Sequence, residues 1–430
     1  MGISLAFHIV FAAVGVALPA LMVIADVLYA RTRDATYLLL SKRLAKGTSI
    51  LFAVGAVSGT VLSFELGLLW PRFMGRFGEA IGLSFALEGF AFFTEAIFLG
   101  IYLYGRGRVS ERFHRLSGVA VAVSGAASAM FVTMVNAFMN NPAGVSMAGD
   151  GRLLLDPLAA MVSPSWSYQV VHVLISSYQA TAWAMVGIHA FFLLRRAQTA
   201  GRELHRKALG IALPVACLTA LLQPLSGDRS AKHIAVAQPL KLAAAEAHLH
   251  TAPGAALHVG GWPDLDTGGF HGALAIPGGL SFLAFGDTQA PVAGLDAFPR
   301  GEWPPVLAVR SAFQVMVGAG TTMALLAAAV IAAWLLRRRR LPDGRGWLVA
   351  MVLASPLGFI SLEAGWLVTE WGRQPWIVRG LLRTSEALTD FPYQAAPFWL
   401  FSVVYLLLGL AVVYLLARQI VHADRAGDQA

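Results

Sequence analysis

Residues Ile3–Tyr29 read ISLAFHIVFAAVGVALPALMVIADVLY, an apolar run that carries one histidine, His8, and one aspartate, Asp26. A helix needs about 20 mostly apolar residues to span a bilayer, and this stretch exceeds that. A cleaved signal peptide would be shorter and would end at a clear cleavage site; neither feature is present. Eight further runs follow the same pattern: Thr48–Trp70, Glu79–Tyr104, Phe113–Met139, Trp166–Leu194, Ala208–Leu225, Val309–Leu336, Trp347–Thr369 and Ala395–Leu416. The sequence therefore predicts an all-α, polytopic membrane protein with about nine transmembrane helices in a lipid bilayer.

Composition agrees. Of 430 residues, 57% are hydrophobic and 13% charged, against about a quarter charged in a soluble domain. A disordered chain, a secreted disulfide scaffold and an ordinary soluble enzyme are excluded. The net charge of +8 does not mark a nucleic-acid binder, because its basic residues lie in short runs between apolar segments. One cysteine, Cys217, excludes intrachain disulfides, all-cysteine zinc sites and cysteine-held iron–sulfur clusters. Any metal must be held by His, Met, Glu or Asp.

Loop charge orients the chain. The Arg31–Lys46, Arg106–Arg115, Arg195–Lys207 and Arg337–Arg345 loops plus the tail hold 21 Lys and Arg; the other side holds 11. The positive-inside rule places the N-terminus outside and the C-terminus in the cytoplasm. The division that follows is residues 1–225 for spans one to six, 226–308 for a long external loop rich in Gly, Pro and Ala, and 309–430 for spans seven to nine and the tail.

Ionisable or metal-binding side chains inside spans mark function by default. The candidates are His8, Glu65, Glu88, Glu95, His172, His189, Glu363 and Glu370. With Met316, most share one layer in the outer half of the bilayer, roughly 8–14 Å deep for His8, Glu88, His172 and Met316. Haem suits such a layer, because its iron takes His, Met or oxygen ligands and a helical bundle can hold the macrocycle. Singly, His8 or His172 would more often be a histidine bonded to a neighbouring carbonyl. His189, near the other end of its span, reads as structural. Glu88 and Glu95, seven apart, face one side of span three, which suits a proton relay or an oxygen ligand.

The most specific local string is GWLVTEWGRQPW, Gly365–Trp376, at the outer end of span eight. Trp residues alone would form an interfacial belt. Glu370 with Arg373 three residues on is less ordinary. Arg373 suits a haem propionate, and Trp366 lies one turn from Glu370.

With these residues in place, the chain resembles subunit I of cytochrome bd-type quinol oxidases, including the cyanide-insensitive branch. The likeness covers nearly the whole chain. It rests on the Gly365–Trp376 string, His8, LEGFAFFTEAIF around Glu88 and Glu95, VVH ending at His172, FQVMVG around Met316 and QPLKLAAAEA at Gln238–Ala247. The resemblance implies a terminal oxidase of the bacterial cytoplasmic (inner) membrane, copper-free and non-pumping. It would oxidise quinol (ubiquinol or menaquinol) outside and reduce O2 to water with cytoplasmic protons. It implies His172 and Met316 as ligands of low-spin haem b558. It also implies His8 and Glu370, with Glu88 on or beside them, at a site of haem b595 and haem d, or a further haem b in place of haem d. By the same resemblance Trp366 is an electron bridge. Glu95, Ser128 and Asn136 form a proton path, and Lys241 and Glu246 bind quinol at the start of the external Q-loop. A second multi-span subunit, subunit II, is the implied partner, and a small single-span subunit a further one.

There are departures. The short amphipathic segment often found before the first span is missing. Gln314 stands where some relatives carry an Arg two residues before the ligand Met. The Q-loop is short and holds His248, His250, His258 and His271, which a Gly-rich exposed loop would cage poorly around a metal. The main rival is a haem-containing quinol dehydrogenase or electron-transfer protein without O2 reduction, but it would not need His8, Glu88 and Glu370 together. A secondary transporter would show inverted repeats and midplane helix breaks; no such repeat is found, and the polar layer is off-centre. A haem–copper oxidase would need an adjacent His pair in a span.

Overall fold

The computed structural model describes residues 1–195, 201–338, 340–388 and 395–427. Parts of two basic loops used for orientation, residues 196–200 and 339, and tail residues 428–430 lie outside the described residues.

Apolar runs set the helices, and caps and prolines set their ends. α1 (Gly2–Thr32) stops at Arg33, whose left-handed backbone (φ 57°) returns its N–H to Tyr29 O. Asp34 then caps α2 (Ala35–Leu69), accepting from Thr36 N at 2.9 Å. α3 (Pro71–Tyr104) starts at once, with Pro71 in the first turn, where a missing N–H is harmless. It therefore begins before the predicted Glu79, and Glu88 is the 18th of its 34 residues. α4 (Glu111–Asn140) is capped by Ser110, which accepts from Phe113 N at 3.2 Å. The hairpin of β1 (Val145–Met147) and β2 (Leu153–Leu155) and short α5 (Pro157–Met161) lead to α6 (Trp166–Arg195).

α7 (Arg202–Ala237) runs twelve residues past the predicted end at Leu225. Ser226 and Gly227 are poor helix formers, but Ser226 is bonded to α6 and Asp228 pairs with Lys232 at 2.7 Å. α8 (Pro239–Glu246) follows. The external segment is then ordered by nested antiparallel pairs: β3 (Leu257–Val259) with β6 (Leu274–Ile276), and β4 (Trp262–Pro263) with β5 (Phe270–His271). Next come α9 (Gly279–Phe285) and α10 (Val306–Leu336). The predicted eighth span is two helices, α11 (Arg345–Ala354) and α12 (Leu357–Trp371), interrupted at Ser355–Pro356 by a proline. The hairpin of β7 (Trp376–Val378) and β8 (Leu382–Arg383), α13 (Thr384–Ala387) and α14 (Ala395–Gly427) complete the described chain.

Among the described residues, eight helical segments are long and apolar enough to cross a membrane, with α11 and α12 counted as one. The fifth predicted span, α6, is as long, with 30 residues, about 45 Å at 1.5 Å each. It is more polar because it is central: it packs on α1, α4, α7, α11 and α12. Its Ser177, Gln179 and Thr181 are buried against protein rather than lipid. Trp183 of α6, Met323 of α10 and Met351 of α11 are fully buried in the same core.

Small residues allow this density. A Cβ at Gly358 of α12 would lie 2.6 Å from Ala180 Cα, and one at Gly187 of α6 would lie 2.1 Å from Ser355 Cβ. The N-ends of α1, α6 and α10 meet the C-ends of α2, α4, α7 and α12 on the side of the long external segment. This is the loop side below. Gly358→Ala is expected to lower the thermal midpoint of the detergent-solubilised protein by at least several degrees through overpacking. Gly82→Ala, with nothing within 4 Å of its Cβ, is expected to leave it unchanged or slightly raised. Equal midpoints for the two variants would contradict the close α6–α12 crossing.

Candidate functional site

Two histidines in apolar helices are seated in the same way. His8 Nδ1 lies 2.9 Å from Ser58 Oγ on α2, and that hydroxyl donates to Gly55 O at 3.1 Å. A hydroxyl has one proton, so His8 Nδ1–H donates to Ser58 and the Nε2 lone pair is left outward. His172 Nδ1 lies 2.9 Å from Ser226 Oγ on α7, which donates to Gln223 O at 2.9 Å. Its Nε2 again holds the lone pair, here accepting from the Gln223 amide at 3.0 Å. A metal-binding histidine needs this seating, with one nitrogen anchored and the other free to donate electrons. Neither Ser58 nor Ser226 was legible as a partner, because serines in apolar helices usually bond only their own backbone.

His172 and Met316 are matched by a contact below them. Gln179 Nε2 of α6 donates to Met323 Sδ of α10 at 3.5 Å. Each lies seven residues past the candidate ligand on helices that both run away from the loop side. His172 and Met316 therefore stand at one level, about 10 Å nearer that side, on the converging faces. Met316 Sδ fits against Gly365 of α12, where a Cβ would lie 3.0 Å from the sulfur.

On α3 and α4, Ser128 Oγ donates to Glu88 Oε1 at 3.1 Å. Glu95 is buried, and a Cβ at Gly125 would lie 3.3 Å from both of its carboxylate oxygens. The structure thus groups Glu88, Glu95 and Ser128. Asn136 lies eight residues past Ser128, about 12 Å along α4, and joins a different group. Glu65 is fully buried, accepts from Ser4 Oγ at 2.6 Å and faces the Met1 amine at 3.3 Å. His189 pairs with His205, Nδ1 to Nδ1 at 2.8 Å, on the side away from the loop.

The loop-side group is a continuous polar chain. Arg373 Nη2 donates to Glu370 Oε2 at 2.7 Å and Nη1 to Asn136 Oδ1 at 3.2 Å. Asn136 Nδ2 donates to Gln169 Oε1 at 2.9 Å, and Asn140 Nδ2 donates to Asn136 O at 2.9 Å. Lys241 Nζ of α8 donates to Asn140 Oδ1. Arg379, in the hairpin after the Gly365–Trp376 string, donates to Ala237 O, and its N–H to Met139 O at 3.0 Å. Arg373 Nε and Glu363 Oε1 are buried without a partner among the described residues. Trp366 is half-buried one turn before Glu370.

Glu246, at the end of α8, pairs with Arg310 of α10 at 2.9 Å. Lys241 and Glu246 are both nearly inaccessible, at 5% and 6% exposure. Burial holds the Lys241 amine well below its usual range, with Arg373 adding to the shift, Glu370 opposing it and Arg379 adding further. Burial pushes the Glu246 carboxyl up, and Arg310 partly offsets this. Among the described residues no three His, Cys, Asp or Glu converge on a metal-sized point. In the external segment His258 stacks on Phe270 at 4.0 Å, and His250 faces Asp296 at 3.4 Å.

Anchored histidines, a thioether and buried carboxylates inside a helical membrane protein make a donor set suited to a redox cofactor. The comparisons agree: the chain belongs to the family Cytochrome bd terminal oxidase subunit I, whose model matches residues 1–424. It is a haem-protein family of the bacterial cytoplasmic membrane. The chain is 37% identical over 419 residues to a Bacillus subtilis (strain 168) protein named provisionally as a cytochrome bd menaquinol oxidase subunit I, covering 96% of this chain and 94% of that one. It is 28% identical over 488 residues to the cytochrome bd-II ubiquinol oxidase subunit 1 of Escherichia coli (strain K12), covering 96% and 93%. The solved bd oxidase from Geobacillus thermodenitrificans superposes with a TM-score of 0.90 at 38% identity, covering 98% of this chain and 96% of that one.

The Lys241 shift gives a signed expectation. Between its lowered folded pKa and the ordinary 10.5, the unfolded chain holds a proton that the folded chain has released. Stability contributed by this group therefore climbs as pH rises through that window and is lost as pH falls. Lys241→Met is expected to flatten the climb in thermal midpoint on the alkaline side of neutrality. An unchanged slope would show that Lys241 is charged in the folded protein.

Proposed function

We propose that this chain is the catalytic subunit of a quinol:O2 oxidoreductase. It oxidises quinol at the loop side, taken as the outer face, and reduces O2 with protons from the cytoplasm. The matched seating of His8 and His172, each with Nδ1 anchored to a serine and its lone pair at Nε2, carries the reading.

The donor set fits haem. His172 and Met316, level with one another, would hold the low-spin haem b558 once the Gln223 amide turns away from Nε2. His8, Glu370 and Glu88 would serve the two-haem site of haem b595 and haem d or a further haem b, and the free Arg373 Nε suits a propionate. Haem, when bound, would supply one-electron transfer and O2 reduction.

The chain's own residues do the rest. Lys241 and Glu246 bind the quinol hydroxyls, and Glu246, with its raised pKa, accepts a proton from them. That proton leaves at the outer face. On the other side Glu95 takes protons inward, and the Ser128 hydroxyl hands them towards Glu88, to which it is already bonded. Asn136 orients Arg373 beside Glu370. Trp366, between the Met316 and Glu370 levels of α12, bridges electrons. Release on one face and uptake from the other separates charge without a pump, storing about 2.3 kcal/mol per charge per 100 mV. A second multi-span subunit completes the complex.

His172→Ala and Met316→Ala are each expected to abolish the low-spin haem band and quinol-dependent O2 uptake together. A normal low-spin spectrum in either variant would refute the ligand pair. Lys241→Ala and Glu246→Ala are expected to cut quinol oxidation by at least about tenfold with all haems retained. Loss of haem in those two would mean that they serve folding instead.

A further inference from the structure

Arg310 of α10 is 2% exposed and is the joint between three separate pieces of chain. Its Nη1 donates to Glu246 Oε2 at 2.9 Å and to Glu246 O at 3.0 Å. Its Nη2 donates to His258 O at 2.6 Å and to Gly260 O at 3.3 Å. The guanidinium carbon lies 5.1 Å from the Phe270 ring centre, and Phe270 stacks on His258. One planar fork thus binds the last residue of α8, the end of β3 and, through Phe270, strand β5 of the inner hairpin.

The neighbouring residues serve the same joint. Gln314, one turn further along α10, accepts from Gly260 N at 3.0 Å. Gly260 and Gly261 both take left-handed backbone, with φ of 68° and 69°. A Cβ at Gly261 would lie 2.6 Å from Ala273 Cβ, so only glycine permits the outer and inner hairpins to meet there. A lysine could not make the same joint, because its ammonium is a point donor without the rigid fork.

We propose that Arg310 is a positioning residue of the quinol site: it fixes the Glu246 carboxylate and pins both hairpins of the external segment over it. Order in the segment and orientation of the carboxylate are then one device. The proposal rests on the quinol-oxidase reading of Lys241 and Glu246. Its chemistry is recognition of a dihydroxy-aromatic ring by a carboxylate that cannot swing away. The third nitrogen of the fork, Nε, is buried without a partner among the described residues.

The test uses the purified complex with a short-chain quinol. Arg310→Gln is expected to raise KM at least about tenfold while kcat and low-spin haem content stay near wild type. Arg310→Lys keeps the charge but cannot reach all four oxygens, and its KM is expected to fall between the two. In a Glu246→Gln background, Arg310→Gln is expected to add less than about threefold, because both changes act on one carboxylate. Hydrogen exchange of the amides of residues 257–276 is expected to speed up in Arg310→Gln.

A wild-type KM and wild-type exchange in Arg310→Gln would overturn the proposal. So would full additivity with Glu246→Gln. If Arg310→Gln does not assemble, Arg310→Lys decides by the same two readouts, and wild-type values there overturn it. An inactive wild-type complex would instead defeat the quinol-oxidase reading, while the exchange rates would still report the hold of Arg310 on the hairpins.

Discussion

The Arg373–Glu370 pair is the interaction on which the loop side depends. Arg373 is 3% exposed, and a buried guanidinium persists only where its charge is met. Glu370 meets the charge within α12; Asn136 uses a second donor and ties α12 to α4. From Asn136 the bonds continue to Gln169 on α6, and through Asn140 to Lys241 on α8. Four helices and the candidate quinol lysine are thereby fixed by one ion pair. Removing one partner of such a pair would leave a buried charge unmet, at about 3–5 kcal/mol. The pair is therefore positional as much as stabilising.

The bilayer explains the remaining architecture. Polar side chains cannot face lipid cheaply, so they gather on the central helix α6 and on the faces packed against it. That crowding requires small residues at the crossings, which Gly187 and Gly358 supply. The same economy appears at His8 and His172. In both, a serine that bonds its own helix backbone fixes the imidazole tautomer without adding a charge. Two chain-distant histidines are thus held by one chemical solution.

Much of the fold was legible, because apolar length and loop charge are dictated by the solvent. The interruption at Ser355–Pro356 carried its own signal, a proline in the middle of a predicted span, and could have been read. The start of α3 at Pro71 was also written locally, by a proline suited to a first turn. The extension of α7 to Ala237 was not, since Ser226 and Gly227 argue against helix until Ser226 is seen to hold His172. At the site, His8, Glu88, Glu95, His172, Met316 and Arg373 stood out by their chemistry in or at the end of a span, while Lys241 and Glu246 were legible only through the family resemblance. Their supports did not stand out. Ser58 and Ser226 meet histidines 50 and 54 positions away, and Arg310 meets Glu246 across 64. No local pattern announces such pairings. Asn136, which the resemblance places with Glu95 and Ser128 in a proton path, bonds Gln169 and Arg373 about 12 Å along α4 from Ser128.

The central claim is that this layer of ligands holds the haems of a terminal oxidase. A reduced-minus-oxidised spectrum of the purified complex, with pigment extraction and haem counting, tests it most directly. Three haems per complex are expected, one of them low-spin, with the third either chlorin-type haem d or a further haem b. A complex with a single low-spin haem, or with none, would contradict the claim.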